Sequence, residues 1–140
     1  MSTREIVPGT ELPTLIPPPV SRLTLALYAG ASGDHNPIHV DPDFAREHGL
    51  DDVIAHGMLA AAYLGRVLTN WVPQAAIHSF NVRFAGMMHV HDQLTCRGTV
   101  TEIMDQDGES LARVELTATS ADGTVKVTGE AVIATSHLES

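Results

Sequence analysis

The sequence predicts a single α+β domain, with an antiparallel β-sheet wrapped around one central buried helix. Three observations predict it. From Gly57 to about Trp71 the residues are apolar on nearly every side of a helix, which marks a helix buried on most faces. After Pro73 the apolar pattern changes to a period of two, the pattern of strands with one buried face. Asp107-Gly108 and Asp122-Gly123 stand between alternating segments, where hairpin turns belong. A sheet and a helix that each need to cover an apolar face make a layered fold. The 140 residues give one domain over 1–140, long enough to bury roughly 70% of the unfolded surface.

The opening is loop-like, with Pro8, Pro13 and Pro17-Pro18-Pro19. Proline donates no backbone hydrogen bond, so only an edge strand fits between Thr10 and Ile16. Ser21 reads as a helix N-cap. Leu23, Leu27 and Ala31 follow at four-residue spacing, which predicts a helix over 22–31 with these residues as its apolar stripe. Asp41-Pro42 reads as a cap and first helical position, starting a short helix through Phe44 and Arg46 that stops at Gly49. The buried helix begins at Gly57, and Pro73 ends its region. Four strands follow. Phe80, Val82 and Phe84 alternate with polar residues, as do Leu94 to Val100, Val114 to Ala118, and Val125-Val127 leading into Ala131-Val132-Ile133-Ala134.

The formal charge of −9 argues against nucleic acid, which needs clustered positive charge. No apolar run reaches the ~20 residues of a membrane span. Met1 to Thr10 has no apolar leader core, and Cys96 is the one cysteine, so no intrachain disulfide forms. These features predict a cytoplasmic protein. Seven of eight basic residues are Arg, a side chain suited to phosphate. The sequence does not place Arg83, Arg97 and Arg113 on one surface. Eight histidines raise a metal question. His89 and His91 would share one strand face, but no set of three or four convergent ligands is visible, so no metal and no cofactor is expected.

Two motifs carry chemistry. Ser32-Gly33-Asp34-His35-Asn36-Pro37-Ile38-His39 places a carboxylate and an imidazole five positions apart in a kinked loop. Ala55-His56-Gly57-Met58 places a glycine at the start of the apolar helix. An acid/base pair beside a helix N-terminus suits proton chemistry next to a developing oxyanion. Singly, Asp34 reads as a turn residue, His39 as a hydrogen-bonded histidine and Gly57 as a helix start. Together Asp34, His39 and Gly57 read as catalytic, with Asn36, His56 and Met58 as substrate-side residues. Asn36 also suits a loop-fixing role through side-chain-to-backbone bonds, and His56 a structural one. Tyr63 and Trp71 read as core or pocket wall.

The chain resembles the MaoC-like (R)-specific enoyl-CoA hydratase and (3R)-hydroxyacyl-thioester dehydratase family. Tyr28-Ala29-Gly30-Ala31-Ser32-Gly33-Asp34, Asn36-Pro37-Ile38-His39, Asp41, Ile54-Ala55-His56-Gly57-Met58 and Asn81-Val82-Arg83-Phe84 carry the resemblance. Within that family the Ala-His-Gly-Met-Leu wording is most similar to catalytic small subunits of mycolate-pathway dehydratases. The resemblance implies a hot-dog fold and an acyl-CoA or acyl-ACP thioester substrate. It also implies a homodimer, or a heterodimer with a second hot-dog subunit. In that reading Asp34 and His39 grip one water, and the Gly57 N–H meets the thioester oxygen, with glycine leaving room for its approach. A non-catalytic acyl-thioester-binding domain is the alternative. One stretch departs from the family. Where many members read Pro-Val and Pro-Gly-Asp, this chain has Ala85-Gly86-Met87-Met88-His89-Val90-His91-Asp92. Met87 and Met88 there suit either an adaptable apolar wall or plain core packing.

Overall fold

Ser21 and Asp41 start the first two helices, as their side chains dictate. The computed structural model describes residues 6–136, so the reading of Met1 to Thr10 falls partly outside the described residues. In α1 (Arg22–Ser32) the Ser21 hydroxyl accepts the Thr24 N–H at 3.0 Å, and Gly33 ends the helix with φ 78°. In α2 (Pro42–Glu47) the Asp41 carboxylate accepts the N–H groups of Asp43 and Phe44. A 3-10 turn at Pro37–His39 lies between them. The central helix α3 (Gly57–Thr69) buries Leu59, Ala60, Ala61, Tyr63, Leu64, Val67 and Leu68.

Four antiparallel strands wrap that helix: β1 (Ile77–Phe84), β2 (Thr95–Gln106), β3 (Glu109–Thr119) and β4 (Val125–Ala134). Their order across the sheet is β1-β4-β3-β2. The β2–β3 hairpin turns at Asp107 and Gly108, both at positive φ, 53° and 82°, as a two-residue mirror-image turn demands. Leu64, Leu68, Leu94, Leu116 and Ile133 are fully buried between helix and sheet, each stabilising the fold by roughly 1.5–3 kcal/mol. The Thr10–Ile16 segment runs along the outer edge of β2. There Leu12 N–H donates to Gly98 at 2.9 Å and Leu15 N–H to Cys96 at 3.0 Å. It makes isolated bridges instead of a continuous strand, because Pro13 interrupts the donors.

Three expectations are corrected. In α1 the buried residues are Leu25 and Ala29, while Leu23 and Leu27 are 68% and 66% exposed. Both stripes have helical spacing, so periodicity alone does not choose between them; packing does. The alternating face of β1 is not buried, for Phe80 and Phe84 are exposed. β1 is a sheet edge, and its two rings approach α3 at Gly57 and Gly65 without being enclosed there. His89 and His91 do not share a strand face, because the segment makes only one bridge, Ile54 to His89, and His91 sits at φ 74°.

Candidate active site

Nested turns build the Asp34 loop. Asp34 Oδ1 accepts the Asn36 N–H at 3.3 Å, and Asn36 Oδ1 accepts the Ile38 N–H at 3.1 Å. Short polar side chains bonding the backbone two residues on are a recurrent turn device. Asn36 therefore does fix the loop. With Oδ1 engaged in the turn, Asp34 Oδ2 faces His39 Nε2 at 3.7 Å. The Asp34 side chain is half exposed, whereas that of His39 is 11% exposed.

His39 Nδ1 lies 2.8 Å from the Ile54 carbonyl oxygen. A carbonyl only accepts, so Nδ1 carries the proton and donates it. In neutral imidazole the other nitrogen is then a lone pair. Nε2 thus turns its basic side toward Asp34, across a gap too long for a direct strong bond and short enough for one water to touch both.

His56 stands behind this pair. It is 2% exposed, its ring stacks on His39 at 3.8 Å and 25°, and it meets Tyr28 edge-on at 4.8 Å. Its Nε2–H donates to the Asp34 carbonyl at 3.2 Å, which leaves Nδ1 buried without a hydrogen-bond partner. Burial pulls its pKa down, more than the Asp34 carbonyl bond raises it, and the His39 ring adds to the lowering.

Asp34, His39 and His56 each offer one ligand-type atom, and these lie within 4.8 Å of one another. The sequence reading missed this threesome because His56 is distant from Asp34 along the chain. An ion binds in the plane of each imidazole ring. Two nearly parallel stacked rings point their nitrogens side by side, so the arrangement does not suit a shared metal.

His56 is also the N-cap residue of α3, whose N-terminus has no side-chain cap. The first N–H groups of a helix lack internal partners and carry partial positive charge. Gly57 and Met58 are exposed there. A Cβ added at Gly57 would meet the Phe84 ring at 3.1–3.2 Å, so in this chain Phe84 is what requires glycine. Tyr63 belongs to the core and Trp71 packs against it. Met88 is buried in the core while Met87 is exposed, so core packing holds for Met88.

The MaoC like domain model matches residues 5–122 of this chain. An (R)-specific enoyl-CoA hydratase of Rhodospirillum rubrum is 33% identical over 116 residues, covering 81% of this chain and 78% of that protein. The 3-hydroxyacyl-thioester dehydratase X of Mycobacterium tuberculosis is 44% identical over 82 residues, 56% of this chain and 29% of that protein. The solved (R)-hydratase from A. caviae superposes with a TM-score of 0.81 at 26% identity, covering 93% of this chain and 97% of that one.

Proposed function

As this chain belongs to the MaoC-like domain family, we propose that it hydrates trans-2-enoyl thioesters reversibly, and so dehydrates (R)-3-hydroxyacyl thioesters. One observation carries the proposal: His39 Nε2 faces Asp34 Oδ2 at 3.7 Å while Nδ1–H is held by Ile54. The relatives named as hydratase and dehydratase support the same reaction class.

The chemistry follows from that geometry. A water held between Nε2 and the carboxylate loses one proton to the pair. Its oxygen forms a bond to C3, and the C2–C3 π electrons move toward the thioester carbonyl. The oxygen of that carbonyl gains enolate charge, and the Gly57 N–H at the uncapped start of α3 stabilises it. The pair then returns its proton to C2. Asn36 and His56 hold the loop and the rings, and Met58 flanks the helix start on the substrate side.

The assay is hydration of crotonyl-CoA. Asp34→Asn and His39→Gln each lower kcat by about a hundredfold or more, with the fold unchanged by circular dichroism. Near-normal turnover in either variant sinks the proposal, as does tight acyl-CoA binding by the wild type without turnover at any chain length.

The chain works in this reading as a homodimer. The edge strand β1 keeps its backbone open on one side, and Phe80 and Phe84 are exposed along it. An exposed apolar edge is a pairing surface. No helix among the described residues is long and apolar enough to cross a membrane.

A further inference from the structure

We propose that Lys126 is a positioning residue for His39, acting through the Met87–Asp92 loop and the Ile54–Ala55 peptide. The inference rests on reading Asp34 and His39 as the reacting pair. Lys126 is the one lysine of the chain. It stands on β4 and is 8% exposed. A buried ammonium is costly unless its hydrogens are used. Its Nζ donates to the Met87 carbonyl at 2.8 Å and lies 4.0 Å from Asp92 Oδ2. That same Asp92 oxygen accepts the His89 N–H at 2.8 Å. The Lys126 carbonyl accepts the N–H groups of Ala85 and Gly86 at 2.9 and 3.0 Å. One residue therefore holds the segment where it leaves β1 and again across its middle.

The held loop reaches the site through a single peptide. Met88, next to the clamped Met87 carbonyl, is buried, and its own carbonyl accepts the Ala55 N–H at 2.8 Å. The Ala55 N–H and the Ile54 carbonyl belong to one planar peptide unit. Fixing the donor end therefore fixes where the acceptor end points. That acceptor receives the His39 Nδ1–H at 2.8 Å. Hydrogen bonds in series polarise and strengthen one another. The ammonium orders the loop, the loop orders the peptide, and the peptide decides which His39 nitrogen holds the proton. Only with the proton on Nδ1 does Nε2 offer a lone pair to a water shared with Asp34.

Lys126→Met removes the ammonium and keeps an apolar stem in the same space. Two measurements test it: steady-state hydration of crotonyl-CoA, and the ring-nitrogen NMR shifts of His39, assigned by their loss in His39→Gln. The expected result is a kcat lower by about tenfold or more with KM within about twofold. The His39 proton is expected to redistribute from Nδ1 toward Nε2. A folded Lys126→Met with wild-type kcat and an unchanged His39 tautomer overturns the proposal. Should that variant not fold, Lys126→Gln, which keeps polar atoms in the same volume, is held to the same two readouts. The NMR measurement needs no turnover. A wild type that fails to hydrate crotonyl-CoA counts against the reaction proposed above, and the tautomer still judges Lys126.

Discussion

His56 shows how one side chain can tie two others into a site. It donates to the Asp34 backbone carbonyl and stacks on the His39 ring, and its burial favours the neutral form. Burial holds its pKa below the ordinary histidine value. The unfolded chain therefore binds the proton more readily than the folded one. Above the unfolded value, about 6.5, the linkage costs nothing, and stability is lost as pH falls through the folded pKa. Thermal melts across this range are expected to show wild type losing stability on acidification more steeply than His56→Phe. Identical slopes would remove His56 as the cause. Cys96 is the opposite kind of residue. Burial pushes its thiol up to about 11, and it is wholly enclosed. A thiol reagent is expected to label it only after denaturation; rapid labelling of the native protein would contradict the packing described for β2.

Among the elements, the starts of α2 and α3 carry opposite designs. α2 is closed by its Asp41 cap, and Asp41→Ala is expected to destabilise the protein by about 1 kcal/mol in urea unfolding. α3 begins without a side-chain cap, and the proposed mechanism uses its Gly57 N–H. Gly57→Ala places a methyl against Phe84, so the ring must shift over the helix start. Its hydration rate is expected to fall by more than its small stability loss explains; equal wild-type kinetics would show that neither the added methyl nor the shifted Phe84 ring obstructs the helix start. The sheet answers the question left by the arginines. Register aligns Arg83 with Thr128, and Thr117 with Arg97, across the outer face. Arg113 lies on the same face but is engaged by Glu102 and Glu130, and Glu115 pairs in register with Glu130 there. Three arginines share this face with three glutamates, so the register does not gather them into a basic patch.

For the whole molecule, the strand order sets which strand is left at the sheet edge. β1 lies at the edge, and its Phe84 and Phe80 approach α3 beside Gly57 and Gly65. The α3 stripe of Met58, Ala62 and Arg66 is exposed on the same helix. A helix apolar on nearly every side with one stripe uncovered calls for a second surface. Light scattering is expected to give twice the chain mass, and Phe80→Asp to give the single-chain mass. A wild-type monomer that pairs only with a different hot-dog chain would replace the homodimer by the heterodimer.

Much of this was legible in the chain because local rules set it. Caps, turn residues and the change from helical to alternating period placed three helices and four strands at nearly their observed bounds, since each depends on neighbours a few positions away. The same locality made Asp34, Asn36 and His39 readable as one loop. Tertiary packing decided the rest. Leu25 and not Leu23 faces the core, because two helical stripes compete and only a packing partner selects one. Phe84 is exposed because strand order, which no local pattern encodes, put β1 at the edge. His56 reaches the Asp34 loop, and Lys126 the Met87–Asp92 segment, through contacts between residues 22 and 39 positions apart. Such contacts exist only once the sheet has closed around α3, when hydrogen bonds and burial act across the folded core.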